Sequence, residues 1–283
     1  MSLSDPFSSA PDTARSLRDT LTEYGIALPE GQGVLVLDLG ADARCGAGME
    51  LAKTEFESVV GGLRLILRAL NEEHGLIAAG ACFREHFRLL RRLLPRGGNL
   101  KCLSYRLRPG EPSATALRRK LGEVRPVSAE VCRAAFCAFY EGKMFDSRLI
   151  SVCYADGQRH VRAPFGASCR EILEPLADLP TPARLIAGDL FTGIAVTDLD
   201  APLPDEISAL QLLTSHEIAK PSPCIRCGTC VRVCPAGVKP FKVAAGRNTD
   251  LSACNGCGKC TYFCPAHLPL SQRIAELREE APV

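Results

Sequence analysis

Apolar and polar positions follow two different periods along the first half of the chain. Leu17 and Leu21 share one face of an otherwise polar stretch, which predicts a helix over 13–24. The apolar run from Val34 to Leu39, bounded by Gly33 and Gly40, has the pattern of a strand buried on both faces of a parallel sheet. Phe56, Val59, Val60, Leu63, Ile66, Leu67 and Leu70 then recur at helical spacing and predict a helix over 52–70. A strand over 76–79, a helix over 84–94, a turn over 95–99, a strand over 100–107 and a helix over 129–140 follow. Strand and helix in alternation predict an α/β layer.

From Arg148 to Asp198 the pattern changes. The stretches 149–154 and 158–163 read as two strands around an Asp156-Gly157 turn. Ser168 stands where it caps a helix running to about Leu176, and short strands are expected at 184–187 and 194–197. Two strands, one helix and then more strands is a β-grasp order. Pro202, Pro204, Pro221 and Pro223 bracket the connection into the last segment, and the first eleven residues, rich in Ser, Pro and Asp, read as a loose tail.

The last segment is organised by cysteine rather than by apolar period. Eight of the fifteen cysteines form two copies of one spacing, Cys224-x2-Cys227-x2-Cys230-x3-Cys234-Pro235 and Cys254-x2-Cys257-x2-Cys260-x3-Cys264-Pro265, a repeat of period 30. Three thiolates two residues apart wrap one iron-sulfur cube from a single loop, and the fourth, set off and followed by Pro, ligates the cluster of the other repeat. On that rule Cys224, Cys227, Cys230 and Cys264 hold one 4Fe-4S cluster, and Cys254, Cys257, Cys260 and Cys234 hold the other. Gly228 and Gly258 sit at equivalent places in the loops, where backbone passes close to sulfide without a Cβ in the way. A short helix is expected within 241–247 and another from about Leu270, the pattern of a bacterial dicluster ferredoxin. Zinc asks for a closed tetrahedral set, not a third Cys-x-x-Cys step plus Cys-Pro in both copies. Disulfides belong to secreted chains, and no signal peptide is visible, so the cytoplasm is the expected compartment.

Composition bounds the rest. A length of 283 residues suggests two or three domains, and 46% apolar residues suffice for a packed interior. The longest apolar runs fall far short of a membrane span. The net charge of +2 selects no partner, but the stretch from Arg84 to Lys120 carries eleven Lys and Arg against Glu85 and Glu111. It reads either as a docking face for an acidic redox protein or as solvated helix faces. Sparse stacking aromatics argue against nucleic acid. Arg226, Arg232, Lys239 and Lys259 lie close to the cluster cysteines, where they either favour reduced clusters, dock an acidic partner or are solvated surface. Of Cys45, Cys82, Cys102, Cys132, Cys137, Cys153 and Cys169, five or six are expected to be buried small hydrophobes, with Cys45 in its Gly-rich turn the one candidate for redox chemistry. His74, His86, His160, His216 and His267 make no ligand pattern, and His267 is expected in an exposed loop.

Taken in order, these segments resemble the RnfC family of electron-transport subunits and the related cobalamin reductase of propanediol microcompartments. The ferredoxin repeat carries the resemblance, with Arg15–Ile26, Val34–Gly48 and Arg148–Pro175 matching in order and pattern. The resemblance implies an α+β multi-domain chain: a tail over 1–12, an α/β domain over 13–145 like the family's FMN and NADH domain, an SLBB-type β-grasp domain over 146–215, and a dicluster ferredoxin over 216–283. The family's N-terminal barrel-sandwich has no counterpart in this sequence. Its Gly-Gly-Ala-Gly-Phe-Pro loop is replaced by the stretch from Ala27 to Gly33, in which Glu30 opposes phosphate, so FMN and NADH are not expected. Gly40, Ala41 and Cys45 survive from the family's next turn without its acid and amide array. The expected role is a relay of single electrons through two 4Fe-4S clusters, with no catalytic residues. Flavoprotein, flavodoxin, ferredoxin or reductase subunits are the expected partners, and a membrane complex or a microcompartment is reached only through a partner. An NADH-dependent flavin or cobalamin reductase that retains FMN is the alternative, and a structural iron-sulfur subunit is a third.

Overall fold

A computed structural model describes residues 11–40, 46–94, 98–108, 111–179, 181–189, 193–214, 220–247 and 249–280. The chain divides into two compact units, one taking residues up to 107 with 112–151 and 160–166, the other taking 108–111, 152–159 and everything from 167 onward.

In the first unit α1 (Pro11–Glu23) leads into β1 (Val34–Asp38), then α2 (Ala47–Thr54), α3 (Phe56–Ala69), β2 (Gly75–Gly80), a 3-10 turn (Ala81–Phe83), α4 (Arg84–Leu93), β3 (Leu100–Tyr105), α5 (Ser113–Leu121), β4 (Val124–Ser128) and α6 (Ala129–Glu141). The sheet has the order β3-β2-β1-β4, and every pairing is parallel. Because side chains alternate along a strand, β1 feeds both faces. Leu35 and Leu37 enter the larger core with residues of α1, α2, α3, α4 and α6, while Val36 joins Ala116 and Leu117 of α5 in a smaller one. The expected α/β layer is present.

Two details differ from the apolar pattern. The helix expected over 52–70 is two helices, parted at Glu55, whose backbone leaves helical geometry (φ −128°, ψ 44°) while its carboxylate accepts from Arg133 Nε at 2.6 Å. The α5–β4 segment shows little periodicity: β4 reads Val-Arg-Pro-Val-Ser, and a Pro inside a strand is tolerated only at a sheet edge, which is where β4 lies. Arg125 of β4 is nonetheless buried, with Nε donating to Gly33 O at 2.9 Å and its guanidinium paired with Glu72.

Helices α3 and α6 meet at glycine. A Cβ on Gly62 would stand 1.6 Å from the carbonyl oxygen of Cys132, so only a bare backbone lets the two axes come this close. Around the same helices, Glu130 accepts from Arg162 Nη1 at 2.6 Å and from the Leu149 N–H at 3.3 Å, and Arg133 sits between Glu55 and Glu130.

Next come β5 (Ser147–Tyr154), β6 (Gly157–Pro164), α7 (Cys169–Leu173), β7 (Arg184–Ala187), β8 (Ile194–Ala195) and β9 (Ala209–Leu213). They form a five-stranded sheet of order β6-β5-β9-β7-β8, in which β7 is antiparallel to both β8 and β9. The division between units runs through the β5–β6 hairpin. That hairpin forms as expected, but Ala155 and Asp156 make the loop, and Gly157 begins β6 without a positive φ. Ser168 caps α7 in a full capping box with Glu171. Strand β9 falls in a stretch to which the sequence pattern assigned no element.

Candidate metal centre

Within the second unit the cysteine repeats fold alike. Each loop ends in a left-handed glycine, Gly228 (φ 71°) or Gly258 (φ 67°), which is the N-cap of one helical turn: α8 (Thr229–Arg232) or α10 (Lys259–Tyr262). The third cysteine of each loop, Cys230 or Cys260, lies on that turn and is buried. Helix α9 (Pro240–Ala244) follows the first repeat and α11 (Leu270–Glu280) the second. Val243, Leu268, Leu270 and Ile274 pack with these two cysteines in a core of seven residues. So small a core holds little by itself.

Two cavities lie beside it. Cys224, Cys227 and Cys230 line the first together with Cys264 from the other repeat, and Phe241, Ala244 and Leu268 close its apolar side; its atom-free space is about 350 Å³. Cys254, Cys257 and Cys260 line the second together with Cys234, and Ser271, Ile274, Ala275 and Arg278 of α11 flank it; its atom-free space is about 510 Å³. All eight motif cysteines therefore stand at one of two cradles, three from one repeat and one from the other. Among the described residues no three His, Cys, Asp or Glu side chains form a tight group of the kind that chelates one ion.

The thiols have unequal environments. Burial pushes Cys260 up to about 11 and raises Cys230, whereas hydrogen bonds from the Thr229 hydroxyl and N–H hold Cys227 below the ordinary thiol value. Ligation by iron requires the thiolate, so metal charge has to offset the desolvation of the two buried sulfurs. A cradle of four cysteines with small residues at the loop turns fits a 4Fe-4S cluster in donor type and number.

Some functional features escaped the sequence pattern. Arg226, inside the first loop, has the left-handed φ of 56°, as does its counterpart Gly256 (φ 70°) in the second. His267 (φ 52°) pairs in the same way with Gly237 (φ 68°) and is exposed, as expected. Arg278 of α11 donates to Cys254 O at 2.9 Å and Arg232 to Cys227 O at 3.1 Å, so each cradle has an arginine on its loop backbone. No motif announced these bonds, because they join residues 24 and 5 positions apart.

The other candidates scatter. Cys132, Cys137, Cys153 and Cys169 are buried, Cys102 is half-buried and Cys82 is exposed. Cys45, Ala41, His216 and residues 95–97 of the expected turn lie outside the described residues. The basic stretch becomes α4, β3 and α5, with Arg84, Arg88, Arg91 and Arg92 exposed along α4. Part of it serves the sheet edge: Lys120 Nζ donates to Ser104 O at 2.5 Å and Arg119 Nη2 to Arg106 O at 3.1 Å. Asp38, at the C-terminal end of β1, accepts from Tyr105 OH at 2.6 Å and from the Gly40 N–H at 3.0 Å.

Residues 216–265 match the family described as 4Fe-4S dicluster domain, which makes two 4Fe-4S clusters the cofactors of this segment. Over 153 residues the chain is 31% identical to the RnfC subunit of the ion-translocating oxidoreductase complex of Rhodobacter capsulatus, a match covering 52% of this chain and 29% of that protein. The corresponding subunit of Methanosarcina acetivorans is 28% identical over 145 residues, covering 47% of this chain and 32% of the relative. Each match thus spans about a third or less of the curated relative, and over it the chain is RnfC-like. A chain of an NAD+-reducing NiFe-hydrogenase in the air-oxidised state shares the fold, with a TM-score of 0.52 at 13% identity over 95% of this chain and 61% of that one.

Proposed function

We propose that this RnfC-like chain is an electron-transfer subunit, relaying single electrons through two 4Fe-4S clusters between partner redox proteins of a larger oxidoreductase assembly. The observation that carries the reading is the exchange of the fourth cysteine, Cys264 at the first cradle and Cys234 at the second. In this reading Cys224, Cys227, Cys230 and Cys264 ligate one cluster and Cys254, Cys257, Cys260 and Cys234 the other, so the two repeats are tied through both metal centres. The clusters supply reversible one-electron chemistry without bond making. The chain's own residues hold and bury them: Cys230 and Cys260 with the shared apolar core exclude water, and Arg232 and Arg278 fix the loop backbones.

The order β6-β5-β9-β7-β8 supports a β-grasp reading of 146–215, since the last strand lies between the first and third. Domains over 13–145, 146–215 and 216–283 belong to the same proposal. Candidate partners are flavoproteins, flavodoxins, ferredoxins or reductase subunits. The relatives are named as subunits of ion-translocating complexes, and among the described residues no helix is long and apolar enough to cross a membrane, so association with a membrane would run through another subunit.

Iron, acid-labile sulfide and flavin per chain on anaerobically purified protein test this. About eight irons without flavin are expected. Cys234→Ser and Cys264→Ser should each disturb one cluster of the other repeat, leaving about four irons, with the loss visible by electron paramagnetic resonance after reduction. Stoichiometric flavin, with NADH reducing the iron, would favour the flavin-reductase alternative.

A further inference from the structure

The two cradles have the same ligand plan but different surroundings, and the difference bears on where electrons enter or leave. At the first, Cys224, Ile225, Arg226 and Cys227 are all exposed, Ile225 to 64%. At the second, Asn255 and Gly256 are exposed too, but Cys254 and Cys257 are only partly accessible and Gly258 is buried. Helix length accounts for part of this: α11 runs eleven residues and lays Ser271, Ile274, Ala275 and Arg278 along the second cradle, whereas α9 has five residues and offers Phe241 and Ala244 to the first.

The loop residues differ in kind as well. The repeat turns Cys224-Ile225-Arg226-Cys227 in one copy into Cys254-Asn255-Gly256-Cys257 in the other. Both middle positions have a positive φ, 56° at Arg226 and 70° at Gly256, where glycine is the unstrained choice. Asn255 serves its own loop, accepting from the Cys257 N–H at 3.3 Å. Ile225 and Arg226 edge the first cradle as Asn255 and Gly256 edge the second, but one is a large apolar side chain mostly in water and the other a cation in a backbone conformation side chains avoid. Arg232 is tied back to Cys227 O and Thr229 Oγ1, while Arg226 has no such tie among the described residues.

Between the acids Glu217 and Asp250, charge along the sequence has one sign. Between Ile218 and Thr249 stand Lys220, Arg226, Arg232, Lys239, Lys242 and Arg247, and no Asp or Glu. We infer that Ile225 and Arg226 are a docking element at the outer cluster, on which an acidic one-electron protein of the ferredoxin or flavodoxin kind seats to exchange electrons with the Cys224–Cys230 loop. This rests on the electron-transfer reading above. Ile225 supplies the desolvated centre and the arginines and lysines the cationic rim, the arrangement of a transient steered complex. One electron leaves one protein and one arrives in the other, with no atom transferred.

Giving the first loop the sequence of the second, with Ile225→Asn and Arg226→Gly together, tests this with an internal control, because Cys-Asn-Gly-Cys already serves a cradle in this chain. The probes are an acidic bacterial ferredoxin and, as a basic comparator, cytochrome c, each titrated against the full chain at low and high salt. The double variant is expected to keep the iron content and cluster spectra of the parent. It should bind ferredoxin roughly tenfold more weakly at low ionic strength, with a flatter salt dependence and slower electron exchange. Arg226→Gln should give part of that loss and stands in if the double variant loses iron. Unchanged ferredoxin binding in an iron-replete variant would overturn the docking element and leave the relay intact. A loss of binding to anionic phosphatidylglycerol vesicles, in place of ferredoxin, would assign the surface to lipid and overturn it also. A parent chain without clusters would instead sink the relay itself.

Discussion

Asp38 ends β1 as a carboxyl largely out of water, with the Tyr105 hydroxyl and the Gly40 N–H as donors. Desolvation outweighs the hydrogen bonds from Tyr105, Gly40 and Ser113 and raises its pKa above the ordinary 3.8. A raised folded pKa means that the folded chain holds this proton more tightly than the unfolded chain does. The stability it contributes is full below the unfolded value and is lost as pH rises through the folded one. Asp38→Asn keeps the oxygen that Tyr105 and Gly40 share and carries no charge, so it should melt above the parent at pH 8, with the gap narrowing toward pH 4. Thermal unfolding at both values checks this, and a gap independent of pH would refute the burial account. At this scale the cysteines that line the two cradles were legible, because they stand out by their spacing. The left-handed Arg226 was not, since only glycine advertises a positive φ in sequence.

The contact of α3 with α6 is set by backbone approach rather than by interlocking side chains. At Gly62 a new Cβ meets the main-chain carbonyl of Cys132 at 1.6 Å, whereas at Gly61 it meets the Phe136 ring at 2.7 Å, and a ring can turn aside. Gly62→Ala should therefore cost about 3 kcal/mol or prevent folding, and Gly61→Ala markedly less, as measured by urea unfolding. The apolar period marked α3 and the core of α6 in the sequence, since both helices present a wide apolar face. It could not mark the break at Glu55, which depends on an arginine 78 residues away. It also passed over β4 and α5, where Pro126 and a run of three basic residues hide a short strand and the few apolar contacts of an outer helix.

For the whole molecule the two kinds of core respond to different treatments. The parallel sheet and its helices rest on a large apolar cluster, while the cysteine repeats share seven buried residues, two of them motif cysteines. Removing iron with a chelator under reducing conditions should unfold the repeat segment and leave the four-stranded sheet folded. Hydrogen exchange would then show protection lost over 220–280 and kept in β1, β2 and α3. A single cooperative loss of all protection would refute this separation. The sequence by itself determined the two cysteine repeats and the alternation of strand and helix, because each is written in spacing over a few residues. The tertiary structure alone decided that α11 flanks one cradle and the shorter α9 the other, that β9 runs between β5 and β7, and that Glu55 breaks a helix. These depend on which distant segments meet, and no local period records that.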